Sequence, residues 1–384
     1  MTRVACGNDG IHLGDNAMTY SDRYLAFMGL APHRLPHWEH WSCPDAETYL
    51  TGIDYYEHPR LCRERLRELY PQLNLAIPES DASIPRPELD LRGQSMTTDE
   101  EGRRHVRWGD KVTGHWDWGK QFHSVEEVLA FSPLENADFT NFPIVADGKQ
   151  DLRSEETIYQ RYRPRWPAEW GDRAPAGEAN SVGFYNTMFM WPLLTFGWEL
   201  FLESCLDPRF ERVMDEFAEL NRRLFRAFAR LPVNFVVCHD DIVNSRGPVC
   251  SPKWMHKYIF PRYEEFWGIV RAAGKEVIFM TDGRADAYAD DVFACGARGI
   301  ITEPYTDFKT IARQHQDCFL AGEGDNRVLY RNDPAEIEAM VRDMVETSRL
   351  TGGYMMCIGN HIPWNVPPEA IKRYLDLSAE LARR

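Results

Sequence analysis

The residues best equipped for chemistry lie in the stretch NFVVCHDDIVNSRG, residues 234–247. An apolar run at 235–237 leads into His239, Asp240 and Asp241, followed by a Gly-Pro break at 247–248 and a Ser-Pro pair at 251–252 that opens a helical pattern. An imidazole beside two carboxylates can relay a proton or hold a divalent cation. The same residues also suit an Asp-rich turn whose carboxylate caps the next helix. Similar polar endings recur after other apolar runs: Glu39, His40 and Trp41; Asp282 before Gly283; Glu303 before Pro304; Glu323 between two glycines; and Cys357 followed by Gly-Asn-His361.

The elements that must position these groups alternate regularly. Strands are expected at 34–41, 73–77, 182–187, 234–238, 276–280, 299–302, 318–321 and 354–358. Helical patterns at 57–70, 197–228, 252–273, 286–295, 307–315, 333–347 and 368–381 fall between or after them. Eight strands alternating with helices imply parallel pairing and a closed (β/α)8 TIM-type barrel, with a doubly wound sheet as the rival. In a barrel, all strand ends open on one mouth. Glu39, Tyr185, His239, Asp240, Asp241, Asp282, Glu303, Glu323, Cys357 and His361 would then converge. Residues 88–119 break the alternation with short β-like pieces, a turn at 99–102, and Trp108, Trp116 and Trp118 for one face. We read 80–180 as a β-hairpin and loop insertion within a single domain spanning 1–384, since it is too small for its own core.

Composition narrows the partners. With 44 Lys plus Arg against 59 Asp plus Glu, the formal charge of -15 argues against a nucleic-acid or anionic-membrane surface. No stretch has the length of uninterrupted apolar residues that a membrane span needs, and the first ten residues lack a signal-peptide core, so a cytoplasmic location is expected. The nine cysteines form no CxxC pair, and reduced thiols are the expectation.

Three uses of such a mouth follow from its residue types. His, Asp, Glu and Cys are all zinc ligands, and a catalytic site needs three plus an open position. Crowded carboxylates that raise one another's pKa, with His239 as shuttle, could do acid-base work without metal. A carboxylate cluster could also simply hold loops in place. The Gly322-Glu323-Gly324 run lacks the lysine and glycine spacing of a phosphate loop.

The run from HDDIVNSRGPVCSPKW to EVIFMTDG, then GARGIITEP, FLAGEGDNRVL and GGYMMCIGNHIPWNVPPEAIKRYLD, resembles the uroporphyrinogen decarboxylase superfamily. YLAFMGLAPHRLPHWEHW and GWELFLESCLDP resemble other parts of it. The resemblance implies a (β/α)8 barrel with its site at the strand C-termini, and either decarboxylation of a porphyrinogen or methyl transfer involving a corrinoid. An acidic mouth would repel a substrate with eight carboxylates, which favours the methyltransferase branch. Where thiol-alkylating relatives carry His-x-Cys, this chain has Met280 and Asp282, with Cys357 in the position of the last-strand thiol. The resemblance therefore implies a zinc site of His239, Asp282, Glu303 and Cys357, harder than a thiolate site. His239, Asp240, Asp241 and Asp282 would be catalytic. Trp38, Glu39, His40, Trp41, Tyr185, Arg246, Glu323 and His361 would contact a small O- or N-methylated substrate. A corrinoid protein would be the partner, and a homodimer is a further expectation. The rival is a metal-free decarboxylase in which Arg246 or Arg284 holds a substrate carboxylate. A third reading is a non-catalytic binding protein.

Overall fold

Short β-branched and aromatic runs bounded by Gly, Pro and Asp build the wall of the molecule. In the computed structural model, described over residues 20–41, 43–86, 94–98, 104–108, 111–114, 121–139, 150–185 and 187–382, every expected strand is present, mostly trimmed at its ends. We number them β1 His37–Trp38, β2 Leu73–Asn74, β3 Ser181–Tyr185, β4 Phe235–His239, β5 Glu276–Met280, β6 Gly299–Ile301, β7 Phe319–Ala321 and β8 Gly353–Met355. Strands β3 to β8 form one parallel ladder in sequential order. β1 pairs in parallel with β2, and a bridge from His37 to Met356 ties that pair to the β8 end. The order β2-β1-β8-β7-β6-β5-β4-β3 is that of a TIM-type barrel.

Alternation along the strands divides two cores. Phe235, Ile278, Phe319, Ala321, Met355 and Cys357 form the interior cluster, with Trp38, Val237 and Ile301 against it. Phe27 of the helix Asp22–Phe27 plugs the bottom of this cluster, its ring 5.0 Å from Phe235 and 4.6 Å from Phe319. The intervening residues, such as Val236, Cys238, Phe279 and Tyr354, face the larger core under the helices. The longest helix among the described residues, Phe210–Arg230, buries Val213, Phe217, Leu220, Leu224 and Phe228 at helical spacing.

The expected helix at 252–273 is two helices, Pro252–Tyr258 and Phe260–Ala272, because Pro261 lacks an N–H and restricts Ile259–Phe260 before it. Ser251 and Asp333 cap their helices through backbone N–H groups, as their positions imply. Within residues 80–180, Gln94–Thr98, Arg104–Trp108 and Lys111–Gly114 form an antiparallel three-stranded sheet. Trp116, Trp118 and the turn at 99–102 lie outside the described residues. A short helix, Glu155–Tyr162, supplies the one or two helical turns that the sequence suggests within the mostly loop stretch 145–180.

Candidate active site at the barrel mouth

The register of the ladder sets the site. Tyr185, His239, Met280 and Ile301 pair across β3 to β6 at one level, so Asp241, Asp282 and Glu303, two residues further on, follow inward at the next. His239 Nε2 lies 3.0 Å from Asp241 Oδ1, which also accepts the backbone N–H of Asp282 at 2.8 Å. The Tyr185 hydroxyl donates to Asp241 Oδ2 at 2.9 Å, and its ring meets His239 edge-on with centroids 4.1 Å apart. Ligand atoms of His239, Asp241 and Asp282 all lie within 4.8 Å of one another. Asn360, at a positive φ of 64°, donates through Nδ2 to Asp282 Oδ2 at 3.0 Å and to Glu303 Oε1 at 3.3 Å. Glu303 Oε2 accepts the Gly283 N–H at 2.7 Å.

These contacts give the three groups different proton affinities. Burial acts to lower the His239 pKa, but Asp241, with Asp282 and Asp240 behind it, outweighs burial and holds the imidazole above its ordinary range. Asp241 is held below its ordinary value because the His239 charge and its hydrogen bonds overcome burial. Burial and the charge of Asp241 push Asp282 up to about 7, with Glu303 adding to the rise and His239 opposing it. The cluster therefore combines an imidazole whose protonated form Asp241 favours with a carboxyl group, Asp282, poised near neutral pH to gain or lose a proton.

A ring stack borders the cluster. Trp38 stacks on His40 at 6.1 Å, His40 lies 5.5 Å from His361, and His361 Nδ1 is 2.9 Å from Asn360 Oδ1. Trp38, His40, Tyr185 and His361, expected from the sequence as substrate contacts, stand together beside the cluster. Arg246 is exposed at the turn of a small hairpin, Val243–Asn244 with Gly247–Pro248, and its backbone N–H is bonded to Asn244 Oδ1. That hairpin docks on the β5 end, where a Cβ on Gly283 would come within 2.5 Å of the Asn244 backbone.

Other expected site residues point elsewhere, and alternation explains most of them. Asp240 is fully buried in the helix layer: Oδ2 accepts from Phe189 N–H at 2.8 Å and the Tyr263 hydroxyl at 2.6 Å, and Oδ1 accepts from Met190 N–H at 2.6 Å. It therefore caps the start of helix Met190–Phe196 rather than entering the mouth. Glu39 is likewise turned outward, bonded to His37, to the Tyr374 hydroxyl and to Ile358 N–H. Trp41 is buried in the outer core, its indole donating to Cys43 O. Glu323 has the parity of an inward residue, yet Gly322 precedes it at φ +101° and swings it to Tyr354 and Thr347 at 2.5 and 2.7 Å. There burial pushes its carboxyl up to about 7.

The expected zinc set is thus only half assembled. Among the described residues, Asp241 completes the group with His239 and Asp282, while Glu303 and Cys357 stand outside it. Cys357 is buried in the interior core, and burial holds its thiol protonated, unlike a thiolate ligand. One imidazole and two carboxylates suit a divalent cation of hard to borderline character. The sequence reading gave Asn360 no role, although the Gly-Asn-His turn at a strand end was visible.

Comparison with known proteins bears on this geometry. Residues 207–381 match the family Uroporphyrinogen decarboxylase (URO-D). This segment is a URO-D family domain. It carries strands β4 to β8 and every member of the His239, Asp241 and Asp282 cluster. No curated protein matches the chain significantly. Among solved structures, a methyltransferase from Methanosarcina mazei is similar over 94% of this chain and 99% of its own, at 15% identity and a TM-score of 0.55. The shared shape confirms the barrel. An IOLI protein with a bound zinc atom is similar over 46% of this chain and 71% of its own, at 10% identity and a TM-score of 0.29. A xylose isomerase-like TIM barrel protein from Mycobacterium smegmatis with magnesium covers 68% of this chain and all of its own, at 11% identity and a TM-score of 0.27.

Proposed function

We propose that the chain is a methyltransferase-type enzyme that moves a methyl group from a small O- or N-methylated substrate to a corrinoid on a partner protein. The observation that carries this reading is the His239, Asp241 and Asp282 cluster at the mouth, beside the Trp38, His40 and His361 stack. Methyl transfer breaks a carbon-heteroatom bond, and the electron pair stays on the oxygen or nitrogen that leaves. That atom must be neutralised as the bond breaks.

This chain can neutralise it in two ways. Asp282 can donate its proton to the leaving atom, and His239, held by Asp241 and within 4.8 Å of Asp282, is the next proton source in the cluster. A zinc ion, where bound, would be held by His239, Asp241 and Asp282 and would supply Lewis acidity at the same atom. The corrinoid supplies a cobalt nucleophile when bound. Tyr185 and Asn360 hold Asp241 and Asp282 in orientation in either case.

Metal-free decarboxylation is supported less well. It needs a cation to seat the substrate carboxylate, and Arg284 is exposed and tied to Asp286 at 2.8 Å. Arg246 is exposed at the hairpin turn. The test is a panel of methanol, trimethylamine and a methoxybenzoate, incubated with the protein and chemically reduced cobalamin. Appearance of the methylcobalamin spectrum with at least one donor is expected. No methyl transfer with any of them, together with carbon dioxide release from a carboxylated ring, would replace this reading with the decarboxylase.

A further inference from the structure

The seam between β1 and β8 becomes irregular as it reaches the mouth. Lower down it is an ordinary parallel ladder: Met356 N–H donates to Pro36 O at 2.9 Å and Trp38 N–H to Met356 O at 3.0 Å, which makes the bridge from His37 to Met356. Pairing resumes at Trp41 and Ile362, where Ile362 N–H donates to His40 O at 2.9 Å. Between these two bridges β1 runs from residue 37 to 41 while the facing chain runs from 356 to 362, two residues more. The surplus is a bulge, and bulges beside active sites re-aim side chains. This one carries Asn360, at φ 64°, onto Asp282 and Glu303, and sets the His361 ring 5.5 Å from His40.

One side chain takes the place of a rung. In a regular parallel ladder the next bond would run from Ile358 N–H to Trp38 O. Here Ile358 N–H donates to Glu39 Oε2 at 3.1 Å, while the chain beyond β8 turns towards β7 through Gly324 N–H to Cys357 O at 3.1 Å and Gly359 N–H to Gly324 O at 2.7 Å. The carboxylate is itself held: Oε1 accepts the hydroxyl of Tyr374, on the helix Pro368–Leu381, at 2.7 Å and lies 2.6 Å from His37 Nε2, and the side chains of His37 and Glu39 are wholly buried. Burying a carboxylate is costly, and a seam closed by main-chain rungs alone would not require one.

We propose that Glu39 is a positioning residue: its carboxylate replaces a main-chain rung between β1 and β8 and so holds the bulge that delivers Asn360 to Asp282 and His361 to His40. Its effect on turnover rests on the methyl-transfer reading above, whereas its effect on the two histidines does not.

The experiment follows the histidine signals of the full-length chain, labelled with carbon-13 at Cε1, in Glu39→Leu and Glu39→Gln, with His40→Gln and His361→Gln to assign the two resonances. In Glu39→Leu the His40 and His361 signals should shift or broaden, while those of His256 and His315, which pair with Asp291 and Asp290, stay in place. Glu39→Gln should keep both signals near their wild-type positions, because the amide oxygen can accept from Ile358 while the amide N–H groups face His37 and Tyr374. Methyl transfer should fall about tenfold or more in Glu39→Leu and recover in Glu39→Gln, as expected when a reacting group is misplaced. Should Glu39→Leu fail to fold, as melting would show, Glu39→Asp carries the same comparison, since it is one methylene too short to hold both Ile358 and Tyr374. Wild-type protein inactive towards every methyl donor would end the methyltransferase reading and leave the histidine signals to decide this one. Unmoved His40 and His361 signals in folded Glu39→Leu or Glu39→Asp, or a Glu39→Gln variant as disturbed as Glu39→Leu, would overturn it.

Discussion

Neighbouring aspartates in this chain do opposite work because a strand sends alternate side chains to opposite faces. Asp240 satisfies two backbone N–H groups and the Tyr263 hydroxyl in the outer core, so Asp240→Ala should cost about 3–5 kcal/mol of stability, measured by denaturant unfolding. Asp282 should behave in the reverse way. Its folded pKa of about 7 lies above its ordinary 3.8, so the folded state holds the proton more tightly between those values. In metal-free protein its contribution is full below about pH 4 and is lost as pH rises through 7. At pH 8 Asp282→Asn should therefore gain up to roughly 2–4 kcal/mol over wild type while losing activity. Equal stability of the two proteins at pH 8 would contradict the buried, charge-crowded placement of Asp282.

At the scale of elements, β2 to β8 were legible because each run ends at a Gly, Pro, Asp or Asn, and the ends of β4, β5 and β8 carried the candidate site residues in plain view. What the sequence did not display was side-chain direction beyond the strand ends. Asp240 and Glu39 required the parity of their strands to be known. Glu323 required the backbone conformation at Gly322, which parity alone misreads. A Cβ at Gly322 would lie 1.8 Å from Thr302 O, in a backbone region that L-residues avoid. Gly322→Ala should destabilise by about 3 kcal/mol or more and, by forcing the β6 and β7 ends apart, disturb Glu303 as well. A melting temperature unchanged from wild type would contradict that account.

For the whole molecule, the fold followed from counting strands, whereas the donor cluster of His239, Asp241 and Asp282 did not, because which donors converge depends on register. His239, Asp241 and Asp282 should bind zinc near 1:1 in calorimetry, more tightly as pH rises towards 7, since the ion competes with protons on His239 and Asp282. Asp241→Asn should abolish that binding and Cys357→Ser should leave it intact. A reversed pattern would return the ion to the set containing Cys357. On the proposed mechanism His239 and Asp282 act as one reaction centre, which the methyl-transfer rates of His239→Ala, Asp282→Asn and the double variant measure. Each single change should cost about 10²–10⁴-fold, and the double variant should be no slower than the worse single one. Losses that multiply in the double variant, or a single variant with wild-type rate, would contradict it.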